Sequence, residues 1–544
     1  MFIKKIKIHN FKCFKDFEIE LNEGLNIIVG DNNAGKSTIL EAINLALTGM
    51  IHGKSIWNEL SQYLFNKDSV DEYIKNHGEL PYIEIEVYFG GNDCPLMNGN
   101  GNSEKDDKAE GFRLKIFFNE DYREEYQSFV KNGDINSLPI EYYDVVWESF
   151  AREKITIRNI PYKSSLIDSS EYKYQSGNDL YLSRIIKNIL ETDDIIAISQ
   201  AHRKMTDTFS NDTSIESINK KIKGISTLTD KKIALSVELG TKNAWENGLI
   251  THLDDIPFHY VGKGEQCIVK TEIALAKRNS QNTGIILLEE PENHLSHSRL
   301  NQLINCISNK YQSKQILIST HSSFVANKLG LENLLLLNNP KIVKFTNLTP
   351  DTFNFFKKIA GYDTLRMLLC KKAILCEGDS DELVIQKAYM QNNENLLPIE
   401  DGIEVISVGI SFLRFLELAE KINIKISVVT DNDGNIEALK KKYSKYLNDK
   451  NNKNIKICFD KKIDTGNLKI GDKSYNYNTL EPKILKSNNL ETLNRIFRTS
   501  YKKEDELRIH MKSNKTECAL KIFDSEEVIK IPEYIMEAIK WVID

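Results

Sequence analysis

Gly24-Leu25-Asn26-Ile27-Ile28-Val29-Gly30-Asp31-Asn32-Asn33-Ala34-Gly35-Lys36-Ser37-Thr38 is the stretch from which the rest of this chain can be read. An apolar run leads into the spacing G-x-x-x-x-G-K-S, after which Ile39, Leu40, Ile43 and Leu47 recur at helical intervals. Strand, glycine loop and helix in that order are the setting a triphosphate-binding loop requires. Glycines let backbone N–H groups face phosphate oxygens at a helix N-terminus, where partial positive charge favours anions. Gly30, Asn32, Asn33, Ala34, Gly35, Lys36, Ser37 and Thr38 are therefore candidate ATP contacts. Lys36 is placed to reach the β- and γ-phosphates and Ser37 to ligate Mg²⁺.

Working outward, residues 2–8 and 17–21 read as strands, and 82–89 with 112–118 as an alternating pair. Between that pair, Gly90 to Gly111 is rich in Gly, Asn and Asp and reads as a mobile loop. Residues 120–255 read as mixed and mostly helical. Two very apolar strands, 284–288 and 315–319, return the chain to the first sheet. The former ends in Glu289-Glu290-Pro291-Glu292-Asn293-His294-Leu295, and the C-terminal edge of a buried strand is where α/β sheets place ligands. Glu289 is expected to hold the Mg²⁺ water shell and Glu290 to orient or deprotonate the attacking water. The bland alternative is a pair of helix-start acids stabilised by the dipole. Ser319-Thr320-His321-Ser322 sets His321 where a γ-phosphate sensor belongs, against the alternative of a structural histidine.

A second α/β series begins at Lys372: strands 373–376, 403–408 and 425–430 alternate with helices 380–391, 411–421 and 435–447, as in a parallel sheet. Lys/Asn-rich stretches at 448–456 and 465–478 read as loops. Glu377-Gly378-Asp379-Ser380-Asp381 and Asp431-Asn432-Asp433-Gly434 both follow strands. Adjacent parallel strands would gather these acids into a hard, oxygen-rich site suited to Mg²⁺ or Mn²⁺. A calcium loop is rejected, because its sixth and twelfth positions are Ile436 and Lys442 rather than Gly and Glu. Turn-forming acids at strand ends are the remaining alternative.

The first set of motifs resembles an ABC-type ATPase of the SMC and OLD-like branch. In that light Gly262-Lys263-Gly264-Glu265-Gln266 is similar to the signature loop, Gly264 contacting ATP held by the opposite subunit; otherwise it is a Gly-rich helix start. The family's glutamine loop has no visible counterpart. The second set resembles a Toprim domain. Asn478-Thr479-Leu480-Glu481-Pro482 and Lys515-Thr516-Glu517-Cys518-Ala519-Leu520 resemble the downstream acidic and lysine motifs of overcoming-lysogenization-defect (OLD) nucleases.

The resemblance implies an α/β fold: residues 1–355 an ABC/SMC-like ATPase head with a helical dimerisation insert at about 150–255, 356–371 a linker, and 372–544 a Rossmann-like Toprim nuclease domain. It implies that Glu377, Asp381, Asp431, Asp433 and Glu481 hold two metals, while Lys515 stabilises charge on the scissile phosphate. It further implies ATP-controlled DNA cleavage by a homodimer or higher oligomer in antiviral defence, with a helicase, or a reverse transcriptase and its DNA product, as partner. A nucleotide-gated DNA-binding scaffold with a silent Toprim centre is the competing expectation.

The bulk composition is that of a globular protein: 544 residues, 41% hydrophobic, 28% charged, net charge −6. That length predicts two or three domains. No apolar run approaches the roughly 20 residues that span a bilayer, and Met1 to Ile8 is too charged for a signal peptide. Eight cysteines without a C-x-x-C pair predict reduced thiols and a cytoplasmic setting, not a zinc site. The segment 440–456 has seven lysines against one acid, either a solvated face or a patch that neutralises phosphates.

Overall fold

The computed structural model describes the chain except residues 32, 77, 92–93, 133–135, 169–173, 176–177, 180–189, 191, 223–234, 236–249, 277–283, 311–313, 339–340, 360–365, 369 and 449–452. It divides into two compact units, Met1–Ile28 with Gly35–Thr320 and Val29–Ala34 with His321–Asp544. No described helix is long and apolar enough to cross a membrane.

The first unit contains two sheets. Strand β1 (Phe2–Phe11) buries Ile3, Ile6 and Ile8 and turns Lys5 and Lys7 to the other face. It pairs antiparallel with β2 (Phe14–Glu20). Strand β3 (Leu25–Gly30) is buried throughout and delivers the glycine loop to α1 (Lys36–Thr48). Strands β4 (Ile83–Gly90), β5 (Glu110–Phe118), β6 (Tyr143–Ser149) and β7 (Lys154–Ile155) complete an antiparallel sheet of order β2-β1-β4-β5-β6-β7. Strand β8 (Ser164–Asp168) is followed by α2 (Thr192–Ser210), α3 (Thr213–Ile222) and α4 (Lys263–Ala276). Strand β9 (Ile285–Glu289), helix α5 (His297–Lys310) and strand β10 (Gln315–Thr320) then form the second sheet's centre. In that sheet β8, β9, β10 and β3 follow one another, with β8, β9 and β10 parallel.

The described residues of the loop between Gly90 and Gly111 make specific bonds to the strands around them. Ser103 donates its N–H and hydroxyl to the buried Glu86 carboxylate at 2.7 Å each, Gly101 N–H bonds to Phe150 O at 2.8 Å, and Glu104 pairs with Lys5 and Lys7. Its Gly/Asn composition reflects tight turns, since Asn102 caps the carbonyls of Gly99 and Asp106. The described residues between 120 and 255 are mixed with helix predominating, as expected, and they also contribute β6 to the antiparallel sheet and β8 to the edge of the parallel one. The helical insert begins beyond β8, and part of it lies outside the described residues.

Gln315 joins the two sheets. Its side chain is 2% exposed, accepts from Ile3 N–H at 2.9 Å and Tyr162 O–H at 3.2 Å, and donates to the carbonyls of Ile3 and Asn22 at 2.8 Å. Trp147 similarly donates its indole N–H to Ala46 O, tying the antiparallel sheet to α1 at 2.8 Å.

In the second unit, β11 (Leu334–Asn338) and β12 (Lys341–Lys344) form a hairpin, and α6 (Pro350–Ile359) follows. Then come β13 (Lys372–Cys376), α7 (Asp379–Asn392), β14 (Ile403–Ser407), α8 (Phe412–Ile422), β15 (Lys425–Val429), α9 (Ile436–Lys442) and β16 (Ile455–Cys458). The sheet is wholly parallel with order β14-β13-β15-β16. Strand β16 begins at Ile455 and so takes the last two residues of the expected loop at 448–456, of which 449–452 lie outside the described residues. Helices α10 (Leu480–Ser487), α11 (Leu490–Phe497), α12 (Glu504–Ser513), α13 (Lys515–Asp524) and α14 (Glu533–Ile543) end the chain. Val384 and Ile385 of α7, Cys518 and Ile522 of α13, and Ile535 and Ile539 of α14 share one core with Ile374, Val405 and Val429 of the sheet. Helix α6 spans the expected boundary at 355/356 and docks on α8, stacking Phe356 edge-on against Phe415 at 5.2 Å while Thr349 and Thr352 donate to Glu417.

Replacing Gln315 by Leu strands a buried N–H and two carbonyls, at a cost of about 3 kcal/mol. Hydrogen exchange of β1 amides should therefore accelerate by about 100-fold in that variant, with the Toprim-region amides unchanged.

Candidate active sites

At the nucleotide loop, Gly35 has φ 104°, and a Cβ there would lie 2.5 Å from the Phe14 ring and 2.8 Å from Cys13 Sγ, so only glycine fits. Asn33 is also left-handed at φ 63°, and Ala34 N–H closes a turn onto Asp31 O at 3.2 Å. Gly30 is packed against the backbone of Leu337. Lys36 opens α1 with its side chain buried, Ser37 is exposed and Thr38 buried. Asn32 lies outside the described residues.

Glu289 ends β9 and accepts a hydrogen bond from the Ser37 hydroxyl, which joins the glycine loop to the strand-end acid. Burial pushes its carboxyl up to about 7, and the charges of Asp168, Glu41 and Glu290 act in the same direction. Glu290 is left-handed at φ 42°, donates its N–H to Ser319 O at 2.9 Å and accepts from the Asn293 amide at 2.8 Å. Glu292 accepts from Thr320 O–H at 2.6 Å. His321 directly follows β10. Gly264 is the second residue of α4, where a Cβ would lie 2.5 Å from His294 O, so it packs against the turn that follows Glu290. Gln266 donates to the carbonyls of Phe258 and Val261.

Asp168 is the residue that sequence reasoning missed here. It is buried, ends β8 and sits in register beside Glu289. The signal was present in Ser164-Ser165-Leu166-Ile167-Asp168, a short half-apolar run ending in an acid.

The acidic site is built on the parallel pairing of β13 and β15, which sets Glu377 beside Thr430 and Asp431. Glu377 Oε1 accepts from Thr430 O–H at 2.8 Å and Asp431 N–H at 3.2 Å. Asp381, one turn into α7, accepts from Gly378 N–H at 3.1 Å. Asp433 is left-handed at φ 49° and accepts from the Asn476 amide at 2.9 Å. Glu481, near the start of α10 and buried, accepts from Thr479 O–H at 3.0 Å and pairs with Lys515 Nζ at 2.9 Å.

The electrostatics tie these side chains into one cluster. Burial first, then Glu377 and Glu481, push Asp381 up to about 7. Asp431 is driven well above the carboxylate range by burial and by Asp381, Glu377, Glu481 and Asp433. Burial works against the Lys515 charge, but its bond to Glu481 and the fields of Glu481, Asp431 and Asp381 outweigh that and raise it. Among the described residues no three carboxylates converge at coordination distance; Asp381, Glu377, Asp433 and Glu481 each accept a hydrogen bond from a protein donor instead. Five mutually repelling, oxygen-only donors nevertheless fit a hard divalent cation, which would relieve their repulsion. Thr430, Asn476 and Thr479, which orient these acids, were not singled out from the sequence.

Residues 1–326 match the family described as AAA ATPase domain, and residues 368–433 match the Overcoming lysogenization defect protein-like TOPRIM domain. The chain belongs to the OLD family. This OLD-family chain is 23% identical to the OLD nuclease of Thermus scotoductus (strain ATCC 700910 / SA-01) across 79% of its own length and 82% of that protein's. It is 21% identical to endonuclease GajA of Bacillus cereus (strain HuB5-5) across 90% of its own length and 84% of that protein's. Among solved structures, the Smc head domain with an extended coiled coil bound to the C-terminal domain of ScpA, from Pyrococcus furiosus, matches at 13% identity with TM-score 0.35, covering 66% of this chain and 100% of that one.

The raised Asp381 carboxyl has a definite sign in stability. The folded protein holds that proton to about pH 7, while an unfolded aspartate releases it near about pH 4. Stability of the metal-free protein therefore declines as pH rises through that window. Thermal melts in chelator should show Asp381→Asn gaining on the wild type between pH 5 and pH 7.5.

Proposed function

We propose that this OLD-family enzyme is an ATP-binding, metal-dependent DNA endonuclease, with residues 1–355 as ATPase head, 356–371 as linker and 372–544 as nuclease domain. What supports the reading is that Glu377 accepts from Thr430 and Asp431 at the parallel-sheet edge, that the charges of Asp381, Glu377, Glu481 and Asp433 all act on Asp431, and that Lys515 pairs with Glu481. Those five carboxylates would hold Mg²⁺ or Mn²⁺, which supplies an activated water and charge stabilisation at the leaving 3′ oxygen. Lys515 begins α13 half exposed, so its ammonium can move from Glu481 to a phosphate oxygen as charge accumulates there. Water adds to phosphorus, the P–O3′ bond breaks, and the 3′ oxygen takes a proton.

In the head, the backbone of residues 30–38 with Lys36 and Ser37 is assigned to ATP and Mg²⁺. Glu289 is assigned to the metal's water shell, Glu290 to the attacking water and His321 to the γ-phosphate. Gly264 is assigned to ATP held by a second copy, which makes the working unit a homodimer or larger. Similarity to endonuclease GajA supports the nuclease assignment; the setting inferred is cytoplasmic antiviral defence, with a helicase, or a retron-type reverse transcriptase with its DNA product, as partner. The competing reading, a nucleotide-gated DNA-binding scaffold with a silent Toprim centre, is favoured by one observation: four of the five carboxylates, Glu377, Asp381, Asp433 and Glu481, already have a protein partner.

Cleavage assays with ATP and Mn²⁺ separate the two. The nuclease reading expects activity in the wild type, none in Asp431→Ala, and a loss of about 100- to 1000-fold in Lys515→Met, as for removal of one charge-stabilising donor. Equal cleavage by wild type and Asp431→Ala sinks it, and cleavage by neither supports the scaffold. For the head, Glu290→Gln should slow phosphate release by at least about 100-fold if Glu290 serves as base. An unchanged rate would mean that ATP is bound but not hydrolysed through that residue.

A further inference from the structure

We propose that Asn432 and Lys483 are positioning residues that set the separation between the Asp431/Asp433 turn and Glu481, and so tune the metal affinity of the acidic edge. The proposal rests on the metal-dependent reading above. It concerns two buried polar side chains that the assigned chemistry does not use.

The turn carrying Asp431 and Asp433 is an unfavourable piece of backbone. Asp433 and Gly434 are successive left-handed residues, φ 49° and 76°, a region that costs any non-glycine residue free energy, although aspartate tolerates it better than most. Asn432, 3% exposed, holds the turn in place. Its Oδ1 accepts from Gly434 N–H at 3.0 Å, closing the turn on itself, while its Nδ2 donates to Asp460 O at 2.6 Å and Lys462 O at 3.1 Å. The turn is thereby fastened to the 460–464 loop that leaves β16.

Lys483 fastens the same loop from the other side. Although 3% exposed, it pairs with Asp460 Oδ2 at 2.5 Å and Asp464 Oδ2 at 2.8 Å and donates to Lys462 O at 3.0 Å. Lys462 O thus receives both Asn432 and Lys483. Two residues along α10 from Glu481, Lys483 projects about 200° away around the helix, so one turn of α10 presents Glu481 to the acidic site and Lys483 to the loop. Asn478, just before α10, adds a reciprocal pair with Asp464: its Oδ1 accepts from Asp464 N–H at 2.8 Å and its Nδ2 donates to Asp464 O at 2.9 Å. The loop is a spacer between the D-x-D turn and the glutamate helix, bolted at each end by a buried side chain. Supports of this kind, removed from a metal site, typically cost about 10- to 100-fold in metal affinity or activity.

The test is calorimetric titration of the nucleotide-free full-length protein with Mn²⁺, alongside cleavage as a function of Mn²⁺ concentration. Asp431→Ala marks the signal that belongs to the acidic edge. Lys483→Met should weaken that binding by about 10-fold or more, shift the cleavage midpoint by the same factor and regain rate at saturating Mn²⁺. Lys483→Arg should keep affinity near the wild type, and Asn432→Ser, which keeps only a short hydroxyl, should move it in the Lys483→Met direction. If wild type and Asp431→Ala titrate alike, the metal-dependent reading itself fails. If Asp431→Ala loses the signal while Lys483→Met and Asn432→Ser keep it, only the positioning proposal fails. Loss of the folded state in both variants, followed by circular dichroism, would make the pair a stability element and overturn it equally.

Discussion

The hydrogen bonds from Thr430 and Asp431 to Glu377 are the point on which the acidic edge depends. They exist because β13 and β15 are adjacent and parallel, so that both strands end at the same edge and both deliver an acid there. Bringing two carboxylates that close costs free energy, and burial raises the cost because the charged forms lose water. The protein offsets it with an N–H, two threonine hydroxyls, a helix N-terminus and the Lys515 ammonium. What remains uncompensated is visible in the raised carboxyls of Asp381 and Asp431. That residual repulsion is what the proposed divalent cation would relieve.

The nucleotide unit applies the same device to another ligand. Parallel β8 and β9 end together, Asp168 beside Glu289, and the Glu289 carboxyl is raised by burial and by its acidic neighbours. There the compensating donor is Ser37, supplied by the glycine loop. Both centres therefore pair strand-end acids with the start of a helix, where exposed N–H groups and the dipole favour negative charge. They differ in what supplements the acids: a phosphate cradle with a buried lysine in one, and Glu481 and Lys515 on late helices in the other.

Much of this was legible in the chain. Glycine loops, apolar strands ending in acids and the α/β alternation after Lys372 are local patterns with a period, and local patterns survive folding. Strands β6, β8 and β16 were missed for a common reason: each carries polar or charged residues among its apolar ones, because it lies at or near the edge of its sheet, where one flank needs no apolar cover.

By itself the sequence determined the two chemistries, since a phosphate cradle and a carboxylate cluster need particular residue types at particular spacings along strand ends. Tertiary structure alone decided which side chains support them. Asp168 acquires meaning from its register with Glu289, Gln315 from the two sheets it joins, and Asn432 and Lys483 from a shared carbonyl at Lys462. A buried polar group takes its role from whichever partner satisfies it. Those partners lie tens to hundreds of residues away, beyond the reach of any local pattern.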